Sequence, residues 1–401
     1  MSRINNLIKE LCPNGVKYST IESVIESYSS GLNPRQNFKL NEYGADLYYV
    51  TVKEMTTGKI VFSDKTDRIT KDAWNKIQNR SKLEINDILF SGIGTIGKVA
   101  LVDIPVDNWN CSESVIILKP RINMILPKYL VHLLRSSNVQ EQWANQSVGS
   151  TLKGLRKDNV LKTKIALPPL EVQEEIVKIL DKFGELEAEL EAELEARKNQ
   201  YEFWHGKLLN DGNELIKLKE ICTYSNDRIS YDKLNEDNYV GVDNLLQNKK
   251  GKTKSYHVPT SGNSTKFEKN DILVGNIRPY LRKIWFADCY GGTNGDVLDI
   301  RVNDAKKIYP RFLYYVLSSE AFFEYNNSNS KGAKMPRGDK QAIMNYEFAV
   351  PSIEKQIHIA NVLDQFDKLV NNISDGLPAE IEFRRQQYEY YRNKLLSFEE
   401  L

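Results

Sequence analysis

The chain has 401 residues, 41% hydrophobic and 27% charged, with a formal net charge of +1. That is room for two globular domains with connecting helices, in the composition of an ordinary soluble protein. No apolar run approaches the roughly 18 residues of a membrane span, and Cys12, Cys111, Cys222 and Cys289 stand far apart with no CxxC pair. This argues against a membrane protein, a disulfide framework or a zinc site, and fits a reducing cytoplasm.

The opening MSRINNLIKEL lacks the apolar centre of a signal peptide. A body of short β-type runs follows: YYVTV (48–52), KIVF (59–62), VALVDI (99–104) and SVIIL (114–118), broken by Gly, Asn and Asp turns. LPKYLVHLLRSS (126–137) predicts a helix, and SVGSTLKGLRKDN (147–159) a polar, glycine-containing loop. LPPLEVQEEIVKILDKF (167–183) then opens a long helix behind its prolines. That helix runs through ELEAELEAELEA (185–196), one tetrapeptide of strong helix formers written three times. Four residues advance a helix by about 400°, so the leucines form a stripe drifting about 40° per repeat.

The same order then returns. A second body carries NYVGV (238–242), KIWFAD (283–288) and DVLDIRV (296–302), followed by YPRFLYYVLSSE (309–320), the loop SKGAKMPRGDK (330–340) and VPSIEKQIHIANVLDQF (350–366). The last of these pairs with residues 167–183 at a constant offset of 183, while QYEYYRNKLL (387–396) pairs with QYEFWHGKLL (200–209) at 187. EINDIL (84–89) matches EKNDIL (268–273), and VKYSTI (16–21) is echoed by IKLKEI (216–221). The whole chain is a duplication.

The first helix carries an apolar stripe of Ile176, Leu180, Phe183, Leu190, Leu194, Tyr201, Trp204 and Leu208. The second carries Ile359, Leu363, Phe366, Ile373, Ile381, Tyr388, Tyr391 and Leu395. Neither stripe can be buried on a lone rod, so the two helices are expected to pair antiparallel. The four extra residues of the second repeat fall near SDGLPAEIE (374–382), where Gly376 and Pro378 should divide the helix in two. The expected fold is α+β: two mixed domains, an internal pseudo-two-fold repeat and two long antiparallel helices. The boundaries are 1–167 for the first domain, 168–210 for the first helix and 211–350 for the second domain. Residues 351–401 form the second helical region, broken near 375–378.

Charge is unevenly placed. Residues 171–200 hold ten acidic groups against four basic ones, a local net of −6, so the remainder carries +7. Positive bodies joined by an acidic rod are compatible with a phosphate-binding surface, although basic clusters are more often plain solvated faces. SGIGTIGK (91–98) contains G-x-G-x-x-G, but Gly97 is followed by KVALVDIP, which alternates like a strand. A dinucleotide fingerprint needs a helix there, so a strand-to-strand turn is expected. His132, His205, His257 and His358 form no metal-ligand spacing, and there is no P-loop, HExxH, GxSxG or NPPY/DPPY motif. No catalytic or metal site is expected.

Two diverged bodies alternating with the paired motifs LPPLEVQEEIVKILDKF and VPSIEKQIHIANVLDQF, the ELEA array and GLPAEIEFRRQQYEYYRNKLL, together resemble the specificity subunit of type I restriction-modification systems. The resemblance covers essentially the whole chain. It implies two target-recognition domains, each reading half of a bipartite, asymmetric site in double-stranded DNA, on helices that set the spacer and dock two methyltransferase subunits. Those partners would bring S-adenosylmethionine, and restriction-translocase subunits ATP and magnesium, leaving this chain non-catalytic and without a cofactor. One tetrapeptide adds about 6 Å of helix, comparable with one to two base-pair steps. The ELEA array therefore reads as a ruler for the spacer.

Candidate DNA contacts in the second body are Asn276, Arg278, Tyr280 and Arg282, with Lys331, Lys334 and Arg337 in its glycine loop. In the first they are Lys153, Arg156 and Lys157, with Gly92, Thr95 and Lys98 of the glycine turn. Candidates for helix pairing or methyltransferase docking are Gln173, Leu180, Phe183, Leu190, Leu194, Tyr201, Gln356, Leu363, Phe366 and Tyr388. Two rival readings stay open, a two-headed helical-rod adaptor for proteins and an enzyme using the Gly92 loop. Salt-sensitive DNA binding separates the first, and nucleotide binding by the isolated chain would favour the second.

Overall fold

The computed structural model describes residues 2–56, 58–92, 96–146, 154–209, 214–371 and 376–401; Thr95, Lys153 and Ile373 lie outside them. The chain divides into two compact units, Met1–Glu189 with Glu382–Leu401, and Leu190–Ile381.

Unit 1 is built on an antiparallel sheet ordered Ile25–Ser30, Val115–Pro120, Ile88–Ser91, Val99–Leu101. Its strand Ile88–Ser91 is buried on both faces, because successive side chains point to opposite sides. Ile88 and Phe90 join the core that packs on the helices, while Leu89 joins a second core with Val50, Trp109 and Ile117. That second core is covered by Leu47–Val50, which pairs parallel with Trp109–Cys111 and antiparallel with Arg68–Ile69. A helix the hydrophobic runs did not suggest, Lys71–Ser81, closes this layer; Thr70 caps it by accepting from the Ala73 amide.

Unit 2 repeats the plan. Its sheet is ordered Cys222–Tyr224, Val297–Val302, Ile272–Gly275, Ile284–Phe286. Ile272 and Val274 face the helix core, and Leu273 faces a smaller core with Val240, Phe267 and Trp285. A second sheet ordered Arg228–Ser230, Asn263–Phe267, Gly291–Thr293, Tyr239–Val240 completes the distal layer, again with one parallel pair. Each unit also pairs its two flanking segments antiparallel: Tyr18–Thr20 with Lys164–Ala166, and Glu214–Lys217 with Glu347–Val350.

The proline-opened segments form the helices Pro127–Leu134 and Pro310–Leu317, each with Pro in the first turn. The missing N–H costs nothing at that position. The long helix is continuous over Leu170–Leu209, and the second helical region comprises Ile353–Asn371 and Leu377–Leu395. In unit 1, Val172, Ile176 and Leu180 are fully buried. Phe183 stacks on Tyr391 at 5.4 Å, and Glu187 accepts from Arg385 at 2.6 Å. Rising numbers on one helix meet falling numbers on the other, so this pairing is antiparallel. In unit 2, Tyr201 packs on Phe366 at 6.3 Å, above a core holding Ile359 and Leu363. Leu186, Leu190 and Leu194 of the ELEA array are half-buried, with their alanines exposed.

Candidate nucleic-acid interface

In both units one β-hairpin loop is held against the glycine-containing loop near the end of the body. In unit 1 the strands Ile88–Ser91 and Val99–Leu101 pair antiparallel, and no helix begins at Gly97, which has φ +89°. The helix that a dinucleotide fingerprint needs after its third glycine is thus replaced by a strand, as the sequence predicted. Gly92 is buried, and its carbonyl accepts from the Leu155 amide at 2.9 Å. In unit 2 the equivalent bond runs from the Gly338 amide to the Asn276 carbonyl at 3.1 Å. One backbone clasp thus brings the two predicted regions of each body together.

In unit 2 the clasp is extended. Ile277 and Lys331 each bridge to Arg337, and the Arg278 amide donates to the Pro336 carbonyl at 2.7 Å. Arg278 and Arg282 both have φ +52° on either side of the turn Pro279–Leu281. Tyr280, 51% exposed, stands at its tip. Asn276 is buried, its Oδ1 without a hydrogen-bond partner. Beside it lies Asn326, whose carboxamide is also buried and unpartnered; a Cβ added at Gly338 would meet both amide oxygens, at 2.4 and 2.8 Å. Lys331 pairs with Asp339, Arg337 lies 3.3 Å from Asp296, and Arg282 holds Glu320 at 2.8 Å. Arg278 and Lys334 are exposed.

In unit 1, Lys98 is turned inward: its Nζ donates to the Val52 carbonyl at 3.0 Å. Lys283 does the same in unit 2 toward the Val242 carbonyl, at 2.5 Å, and burial lowers its pKa. These lysines tether hairpin to distal layer, a structural use that a count of basic residues does not reveal. Arg156 is exposed at the start of the short helix Lys157–Leu161, and the Lys157 ammonium lies 5.0 Å above the Tyr28 ring.

On the helices, Gln173 and Gln356 are buried and hydrogen-bonded within their own units. Both ring nitrogens of His132 are engaged, Nε2 to Asp181 at 3.1 Å and Nδ1 to the Tyr388 hydroxyl at 3.0 Å. Burial lowers the His132 pKa against the pull of Asp181. For Asp181 burial acts upward, but bonds from His132 and Lys128 prevail and lower it. A neutral imidazole donating from Nε2 and accepting at Nδ1 satisfies all three groups. In unit 2 the same positions, displaced by 183, hold Arg311, Tyr315 and Asp364, and Asp364 accepts from Arg311 at 2.6 Å and from Tyr315 at 2.5 Å. This node was not visible as a motif, although the constant offset aligns all three pairs. The helices also expose Phe203 (62%) and Tyr390 (60%) at equivalent positions. Each ring has a lysine near its face, Lys207 at 5.8 Å and Lys394 at 5.7 Å.

Among the described residues no group of acidic, histidine and cysteine side chains could hold a metal ion, and no helix is long and apolar enough to cross a membrane. The family model described as the type I restriction modification DNA specificity domain matches residues 13–196 and again 210–383. A Mycoplasma pneumoniae protein named as a type I specificity subunit is 30% identical over 58% of this chain and 95% of its own length. The specificity subunit of the Escherichia coli type I restriction enzyme EcoR124I/EcoR124II is 28% identical over 62% of this chain and 69% of its own. The type I S subunit of M. genitalium has the same fold at 16% identity, with a TM-score of 0.55 over 96% of this chain and 97% of that one. A chain from a type I restriction-modification assembly reaches a TM-score of 0.62 at 18% identity, over 96% of this chain and 98% of its own. With its domain matched twice over most of its length, this chain belongs to the type I restriction-modification DNA specificity family, as a recognition component rather than a catalytic one.

Proposed function

We propose that each unit reads one half of a bipartite, asymmetric site in double-stranded DNA, and that the helices set the spacer between halves and dock two methyltransferase subunits. One observation carries this reading: each unit clasps a hairpin loop to a second loop bearing basic residues, through equivalent bonds at Gly92 and Asn276. Two copies of one loop pair suit a site with two halves, and their different side chains suit halves of different sequence. Arg156, Lys157, Lys331, Lys334 and Arg337 supply phosphate-directed charge, and backbone amides beside the Asn276–Gly338 clasp can do the same. The surface ion pairs among them are weak enough to be exchanged for phosphate.

The repeated exposed aromatic and lysine of each helix pair, Phe203 with Lys207 and Tyr390 with Lys394, offer two like surfaces to two copies of one methyltransferase subunit. S-adenosylmethionine, ATP and magnesium belong to the methyltransferase and restriction-translocase partners, and the complex works in the cytoplasm, consistent with four free cysteines. The test is a methylome. The chain is expressed with its cognate methyltransferase subunit in an unmethylated host, and modified adenines are mapped. A two-part motif with a fixed gap is expected; a stable complex that yields no motif overturns the reading in favour of a protein adaptor.

A further inference from the structure

We propose that Arg278 is a specificity-determining residue that reads a guanine in the half-site of unit 2, a proposal that rests on the DNA-recognition reading above. The candidate cations of these loops fall into two groups. Arg282, Lys331 and Arg337 are each opposed by a carboxylate, from Glu320, Asp339 and Asp296. Arg278 is exposed, and among the described residues its guanidinium has no hydrogen-bond or ion-pair partner. Lys334 is also exposed, but on a flexible stem and with a point charge that has no planar preference.

The backbone beneath Arg278 is fixed at every step. The Asn276 amide donates to the Asp296 carbonyl at 2.8 Å, Ile277 bridges to Arg337, and the Arg278 amide donates to the Pro336 carbonyl at 2.7 Å. The Arg278 carbonyl in turn accepts from the Leu281 amide at 2.9 Å. Pro279 fixes the next φ. Arg278 itself sits at φ +52°, a conformation that opposes a β-carbon and persists only where the surroundings enforce it. Glycine is the residue for such a turn; arginine there keeps a guanidinium at the price of strain. A rigid base and an unpaired planar fork are what a bidentate contact to guanine O6 and N7 requires.

The experiment uses the chain in complex with its methyltransferase subunit. Arg278→Gly removes the fork and relieves the backbone, so the fold should hold; Arg278→Lys keeps the charge without the fork. Methylome mapping should show both variants losing about 10- to 100-fold discrimination for guanine at one position of one half, with the other half unchanged. An even weakening at all sites in Arg278→Gly, with a salt dependence of DNA binding lowered by about one phosphate and both effects spared in Arg278→Lys, overturns the proposal in favour of a backbone contact. So does an unaltered motif, or a wild-type motif with no G·C pair in the affected half. A wild-type complex with no two-part motif instead refutes the DNA-recognition reading, and this proposal with it.

Discussion

Gln173 and Gln356, 183 residues apart, make the same three hydrogen bonds. The Gln173 Oε1 accepts from the Leu126 amide at 2.9 Å, and its Nε2 donates to the carbonyls of Met124 at 3.1 Å and Pro168 at 2.8 Å. The Gln356 Oε1 accepts from the Tyr309 amide at 2.8 Å, and its Nε2 donates to the carbonyls of Lys307 at 3.0 Å and Pro351 at 2.9 Å. Every partner is displaced by the same 183 positions. The carboxamide ties the first turn of each long helix to the start of the helix Pro127–Leu134 in unit 1 or Pro310–Leu317 in unit 2.

Gln173→Ala and Gln356→Ala should each destabilise the unit that holds them by about 2–4 kcal/mol, because a buried amide and two carbonyls lose their partner together. Urea unfolding of each variant measures this. Gln→Glu at either position should be about as harmful, since a carboxylate cannot donate to two carbonyls.

Deleting one ELEA should shorten the unspecified gap in the methylated motif by one or two base pairs and leave both halves unaltered. The repeat makes this deletion mild. Removing residues 185–188 brings Glu191 to the place of Glu187, so Arg385 meets the same carboxylate. Comparing motifs from the two complexes checks it, and an unchanged gap refutes the ruler.

Phe203→Ser combined with Tyr390→Ser should abolish co-purification of the methyltransferase subunit while leaving the melting temperature within a few degrees, because both rings face solvent. Either single change should leave a complex with one methyltransferase copy. Native mass spectrometry separates two copies, one and none.

His205 makes unit 2 sensitive to acid. Its Nε2 is buried without a partner, and burial first, with the nearby Lys249 charge adding to it, lowers its pKa to about 4. A depressed histidine pKa means the folded state resists protonation. The stability it permits is therefore present above the unfolded value near 6.5 and lost as pH falls toward 4. The loss at pH 5 should be about 2 kcal/mol, and His205→Phe should remove that part of the slope between pH 7.5 and 5. Denaturant midpoints at the two pH values decide it.

Fold and helices were legible because duplication is a long-range signal carried by sequence alone: the offset of 183 places helix on helix, and KVALVDIP after Gly97 showed a strand where a nucleotide fold needs a helix. The parallel pairing of Leu47–Val50 with Trp109–Cys111 was not legible, since paired residues lie 61 positions apart and their pattern says only that each is an apolar run. Nor was the inward turn of Lys98, because a basic side chain reads alike whether its amine meets a carbonyl or solvent. The helix Lys71–Ser81 could have been found from the Thr70 cap and the buried pair Ala73 and Ile77. At the candidate interface the loops were identifiable by residue type, but which cation stands alone depends on Asp296, Glu320 and Asp339, each brought in by the fold.

Unit 2 is one uninterrupted stretch of chain, whereas unit 1 needs residues 382–401, including the Val16–Glu400 bridge and the Tyr388 hydroxyl that His132 binds. On the ribosome unit 1 must therefore wait for the whole of unit 2 to be made, roughly 10–40 s at ordinary elongation rates. Its apolar helix face, Ile176, Leu180 and Phe183, stays uncovered by Tyr388 and Tyr391 during that interval. The half translated first is the half finished last.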